Sequence, residues 1–109
     1  MPSSTAYFAV DETPIHVISE ASEIMLVNVN AEDGDPAGVT FVKFYESLTT
    51  PTISSATPVL SVMCVRGQSI TVPVFLESAS LWMAATSVDG VDATAPTDPV
   101  TVNLITRRL

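Results

Sequence analysis

Residues 40–47 read TFVKFYES, and the reading of this run decides the fold. Threonine, valine and three aromatics in eight positions favour an extended chain, and no apolar stripe of helical spacing runs through them. In a strand, Val42 and Phe44 share one face, and Phe41, Lys43 and Tyr45 share the other. The first face suits a core. The second carries the only lysine of the chain between two aromatic rings, which suits a surface that touches something else.

The same pattern extends in both directions. Short runs rich in Val, Ile and Thr alternate with Pro, Gly, Asp, Asn and Ser, which is the punctuation of an all-β chain. Strands are expected at about residues 6–10, 15–19, 23–30, 38–46, 59–65, 69–76, 81–87 and 100–106. The stretch ESLTTPTISS (46–55) has neither alternation nor an apolar face, so it holds at most a single helical turn. Alternation assigns to the interior Met25, Val27 and Val29; Val42 and Phe44; Leu60, Val62 and Cys64. It adds Ile70, Val72, Val74 and Leu76; Leu81, Met83 and Ala85; and Val100, Val102 and Leu104. These side chains can fill one layer about 10 Å thick between two sheets. Pro73 lies inside TVPVF and cannot donate to a ladder, so its strand belongs at an edge or carries a bulge.

Composition narrows the class. The 109 residues suffice for one domain (1–109) with one core, and 47% hydrophobic against 15% charged residues is too apolar for a disordered chain. Residues 1–4 are expected to be a flexible arm and 105–109 a C-terminal extension. No apolar run approaches the roughly 18 residues of a membrane span. The start MPSSTAYFAVDE lacks the basic and apolar parts of a secretion signal. The expectation is a protein made in a cytoplasm and assembled there into something larger. Twelve acidic residues against four basic ones give a net charge of −8, which opposes binding to nucleic acid.

Candidate chemistry is sparse. Glu32, Asp33 and Asp35 cluster in AEDGDP, and Asp89, Asp92 and Asp98 in DGVDATAPTD, yet the spacing of a calcium loop is missing and turns favour these residues anyway. His16 stands alone, without a second histidine or a G-x-S-x-G serine. It is expected to be structural and partly exposed. Cys64, in VLSVMCV, reads as a small buried hydrophobe. No catalytic residue, metal or cofactor is expected, and the chain is not expected to be an enzyme. Phe41, Tyr45, Phe75 and Trp82 all alternate away from the expected core. Together with Lys43, and with Arg107 and Arg108 at the C-terminus, they form the candidate interface, since aromatics left outside a core mark covered surfaces.

The order of segments resembles the small all-β proteins encoded in structural gene clusters of tailed bacteriophages and prophages. The matching pieces are VKFY (42–45), TTPTISSATPVL (49–60), RGQSITV (66–72) and TDPVTVNL (97–104), and the likeness covers roughly residues 22–106. It departs at SLWMAA (80–85), where that pattern has a phenylalanine and a glycine. The resemblance implies a virion protein, without substrate or cofactor, that decorates or cements the outside of a capsid by contacting the major capsid protein. The expected architecture is a single β-sandwich of about eight strands, jelly-roll-like. Two other readings stand beside it: a tail, baseplate or spike-associated module, and a calcium- or carbohydrate-binding β-sandwich. Homo-oligomers and bound monomers are both compatible with the sequence; nucleic acid and membrane partners are not expected.

Overall fold

The computed structural model describes residues 2–34 and 37–109. The chain is all-β: β1 (Pro2–Val10), β2 (Ile15–Ile18), β3 (Ser22–Asn30), β4 (Val39–Glu46), β5 (Leu60–Val65), β6 (Ser69–Ser78), β7 (Leu81–Thr86) and β8 (Val100–Arg108). No helix occurs among the described residues. In the stretch 46–55 the expected single turn is present, with the Ser55 and Ala56 N–H groups both donating to the Thr52 carbonyl at 3.0 and 2.9 Å.

The strands form two antiparallel sheets of four. Sheet A has the order β1-β8-β3-β6 and sheet B the order β2-β7-β4-β5. Four of the pairings are nested: β4 with β5, β3 with β6, β2 with β7 and β1 with β8. The chain is thus a long ribbon doubled back on itself at the β4–β5 connection. Two further pairings, β3 with β8 and β4 with β7, join the ribbon into sheets.

One hydrophobic cluster takes side chains from both sheets. Val27, Val29, Val102 and Leu104 of sheet A and Val42, Phe44, Leu81, Met83 and Ala85 of sheet B are all fully buried in it. Each large member contributes about 1.5–3 kcal/mol through removal from water. Val42 and Phe44 face inward, as alternation requires.

Two core assignments need correction. Met25 is only half-buried, because β3 carries one extra residue relative to β8: Ile24 pairs with Thr106 and Leu26 with Ile105. The bulge hands the interior position to Ile24. Ile70 is 38% exposed; β6 is the edge strand of sheet A, so Ile70 has β3 on one side only. Pro73 sits on this edge strand, where β6 pairs Leu76 with Ile24 but Pro73 with Leu26 and so holds an extra residue. Edge and bulge coincide.

Both expected tails are also corrected over their described residues; Met1 lies outside them. Pro2, Ser3 and Ser4 pair with Arg107, Thr106 and Ile105. The two ends of the chain are therefore neighbouring strands of one sheet rather than a free arm and a free extension, because Ser3, Ser4 and Thr5 are exposed but satisfy their backbone in the β8 ladder.

Candidate interaction surface

The outer face of sheet B carries Phe41, Lys43 and Tyr45, as alternation predicts, but this face is covered by the chain itself. Residues 47–59 and 87–99 cross over it, and Ile53 closes on Tyr45 and Ala84 with Ala56, Trp82 and Ala93 packed around them. Tyr45 is 1% exposed and Lys43 fully buried, so both are withdrawn from the candidate interface. Phe41 and Trp82 are half-buried. The covering loops bring apolar side chains without periodicity, and without them Tyr45 would face water.

The Lys43 ammonium donates to the Asp92 carbonyl at 3.2 Å. Burial pushes its pKa down, and the nearby Asp92 and Asp89 carboxylates push it back up in part. The Tyr45 hydroxyl is buried with no hydrogen-bond partner among the described residues, and burial, assisted by Asp92, raises its pKa. Asp92 in turn is held below the usual carboxylate range, chiefly by Thr94, whose N–H donates to it at 2.6 Å.

Arg66 fastens the loops at the other end of the molecule. Its guanidinium is buried and donates to Thr40 Oγ1 at 3.2 Å, to the Asp98 carbonyl at 3.0 Å and to the Asp33 carbonyl at 3.2 Å. The Asp98 carboxylate lies 4.0 Å away. Three chain segments are thereby tied to one fixed fork of donors. The turn carrying Arg66 closes with Gln68 N–H on the Val65 carbonyl, and Gly67 supplies its positive φ of 86°.

His16 lies on β2 stacked against Trp82, with ring centroids 4.3 Å apart and planes 6° from parallel. Its Nε2 is 3.0 Å from Ser80 Oγ, which donates to the Ser47 carbonyl at 2.5 Å; Trp82 Nε1–H donates to the same carbonyl at 3.1 Å. Beside this group an open cleft of about 430 Å³ is lined by Glu46, Ser47, Leu48, Ala79 and Ser80. The stack gives His16 a packing role, and it leaves Trp82 engaged on both of its sides.

The acidic loops are occupied by their own turns. Asp89 accepts from Gly90 N–H and Ser61 Oγ, Asp92 from Thr94, and Asp98 lies by Arg66. Among the described residues no three His, Cys, Asp or Glu side chains converge as a metal site; Asp35 lies outside the described residues. Cys64 is buried at 1% exposure, and burial raises its thiol pKa against the opposing pull of Arg66 and a backbone hydrogen bond at Ala31.

The outer face of sheet A differs. Strand pairing lays Thr71, Asn28 and Asn103 across it in one row. Asn103 Nδ2 donates to Asn28 Oδ1 at 3.0 Å, and Asn28 Nδ2 to Thr71 Oγ1 at 2.9 Å. Beside this polar row Pro73, Leu26 and Ile105 form an apolar one. Arg107 pairs with Glu23 at 2.9 Å and Arg108 pairs with Glu20, so both candidate arginines sit in β8 and meet carboxylates of their own chain. Each edge of this sheet carries a bulge with a non-glycine residue in the left-handed region: Ala9 (φ 53°) on β1 and Phe75 (φ 52°) on β6. At these bulges Phe8 is 74% and Phe75 64% exposed. Register places them at diagonally opposite corners, Phe8 near the row of Thr101 and Asn30 and Phe75 near that of Met25.

Of the seven candidate interface residues, then, Phe75 stands exposed, Phe41 and Trp82 half-open, and the two arginines exposed in ion pairs. Phe8 was missed by alternation, because the bulge at Phe8–Ala9 puts it outside the period of its strand. No protein-family model matches this sequence, and comparisons with curated proteins and with solved structures return no match.

Proposed function

We propose that the chain is a jelly-roll sandwich serving as a virion structural protein, a cement that binds the outside of a phage head through the outer face of sheet A. The nested pairing of β1–β8, β2–β7, β3–β6 and β4–β5 supports the jelly roll, since that architecture is a doubled ribbon wrapped into two sheets. The resemblance of its segments to phage structural proteins supports the virion role. A net charge of −8 suits a surface away from packaged nucleic acid. No catalytic step belongs to this reading.

The observation that carries it is the pair of exposed phenylalanines, Phe8 and Phe75, each held at a strained bulge on the one sheet face that the chain leaves uncovered. A ring kept in water at such a position costs stability in the free protein and gains it on contact. With many copies on a symmetric shell, a weak contact of this kind becomes an effective clamp.

The test uses shells assembled from the major capsid protein of a tailed phage. Wild-type protein is expected to bind to saturation and to raise the melting temperature of the shell. A double variant, Phe8→Ser with Phe75→Gly, keeps its own fold and binds at least about tenfold more weakly. Shells that regain no mass on mixing, or that bind the double variant as well as the wild type, overturn the proposal; density on the tail in place of the head moves the protein to a tail role.

A further inference from the structure

The four edge strands are not equally protected. Natural sheets guard their edges against pairing with another chain through proline, bulges or charge. β1 has Pro2 and the bulge at Ala9, β6 has Pro73 and the bulge at Phe75, and β2 is four residues long with a register shift between His16 and Ile18. β5, LSVMCV, has none of these guards. Its register against β4 runs from Leu60 to Val65 without a shift, and it contains no charged residue.

The open side of β5 is ready to pair. The Arg66 N–H bonds to the Gly38 carbonyl at 3.0 Å, which continues the β4–β5 ladder by one pair. Because bonded pairs alternate along an antiparallel ladder, Leu60, Val62 and Cys64 bond to β4. Ser61 and Met63 turn both backbone groups to the open edge, and Val65 turns its N–H there. The side chains beside that edge are apolar and exposed, with Met63 at 53%, Val65 at 42% and Val59 at 51%.

Charge distribution selects the occupant. From Val59 to Leu76 the only charged side chain is Arg66, which is 3% exposed. All twelve acidic residues lie outside this stretch. Two copies of a chain of charge −8 approach most easily where carboxylates are few; β5 itself has none, and the Asp89 carboxylate that accepts from Ser61 Oγ at 3.0 Å lies at one end of the strand, away from Met63. We infer that β5 pairs antiparallel with β5 of a second copy about a twofold axis at Met63, joining two B sheets into one sheet of eight strands. This register sets Met63 beside its symmetry mate, Ser61 opposite the mate of Val65, and Val62 opposite the mate of Cys64. Met63 meets its mate and Val62 meets Cys64, while Ser61, its hydroxyl held by Asp89, lies beside Val65; the contact is isologous. The area that one six-residue strand covers is at the low end for a specific interface, so the dimer dissociates at about micromolar concentrations.

The test needs only the purified full chain and is independent of any capsid. Sedimentation velocity from 1 µM to 1 mM, on the scale set by that interface size, is expected to show a monomer shifting to twice its mass. Met63→Lys places a charge on the edge, and Met63→Pro removes an N–H that β4 does not use. Each is expected to keep the β spectrum and to raise the dissociation constant at least about tenfold. Met63→Cys in a Cys64→Ala background is expected to cross-link on mild oxidation, since Cα atoms of a directly bonded pair lie about 5.5 Å apart. A chain that stays monomeric over the whole range overturns the inference. So does a dimer that both Met63 variants leave intact, or β5 amides that gain protection from exchange only when shells are added. Loss of shell binding with the dimer retained, or the reverse, separates this inference from the cement role.

Discussion

Replacing Lys43 with methionine tests the account of the covered face of sheet B. The side chain is fully buried, and its ammonium has one hydrogen bond among the described residues, to the Asp92 carbonyl, with the Asp92 and Asp89 carboxylates nearby. A charged hydrogen bond of this kind is worth about 1.5–3 kcal/mol, while the effective penalty for taking an ammonium out of water is several kcal/mol. The two nearly cancel. Lys43→Met, which keeps the length of the stem, is expected to change stability at pH 7 by no more than about 1 kcal/mol in either direction. Lys43→Glu would set a third carboxylate among these groups and is expected to cost about 3–5 kcal/mol. The pH dependence is the sharper readout. The folded pKa of Lys43 lies below that of the unfolded chain, so between the two the unfolded state binds more protons and stability rises with pH. The penalty is complete below the folded value and is gone above the unfolded value of about 10.4. Urea unfolding followed by Trp82 fluorescence, from pH 7 to 10.5, should therefore show wild type gaining on Lys43→Met as pH rises. Taking the difference between the two proteins cancels Tyr7 and Tyr45, whose pKa values are raised by burial and which lower stability above about pH 10. A difference that is flat across this range, or a loss of more than about 3 kcal/mol in Lys43→Met at pH 7, would refute the reasoning.

Three further outcomes are expected. Phe75 buries only about a third of its ring, so Phe75→Ala loses no more than about 1 kcal/mol. Phe75→Gly, which relieves the left-handed backbone, should be more stable than Phe75→Ala by about 0.5–1 kcal/mol in urea titrations. Arg66→Met leaves the Asp98 and Asp33 carbonyls and Thr40 without their donor and is expected to cost about 3–4 kcal/mol. Hydrogen exchange should then show the loops at 31–38 and 87–99 opening first. Cys64, buried with a raised thiol pKa, should react with a thiol reagent in the native state only at the rate of unfolding; immediate modification at pH 8 would show that the strand end is open.

All eight strands were legible because each has its own period-two pattern, punctuated by turn residues, and most boundaries fall within two residues of those observed. The terminal strands were the exception. Pro2–Ser4 are exposed and Thr106–Arg108 polar, and their order comes from pairing across nearly the whole sequence, which no local pattern displays. The outer-face assignment of Phe41, Lys43 and Tyr45 was correct in direction and incomplete in consequence. Alternation tells which side of a sheet a residue takes, but the cover over sheet B comes from Ile53, Ala56 and Ala93, in loops whose apolar residues have no period. The bulges were equally invisible: Met25 is displaced from its expected interior place, and Phe8 stands exposed without having been assigned to either face, through one-residue insertions that follow from the partner strand.

The nested pairing also sets an order of events. Only residues 47–59 separate β4 from β5, whereas Pro2 must find Arg107 across almost the whole sequence. Loop-closure entropy favours a start at the doubled end and growth toward the termini. On the ribosome, β1 emerges before the strands β2–β7 and its partner β8 after them, so it stays unpaired while all of those between are made. Its serine-rich, bulged sequence, PSSTAYFAV, keeps that waiting strand poor in the flat apolar character that draws nascent chains into aggregates.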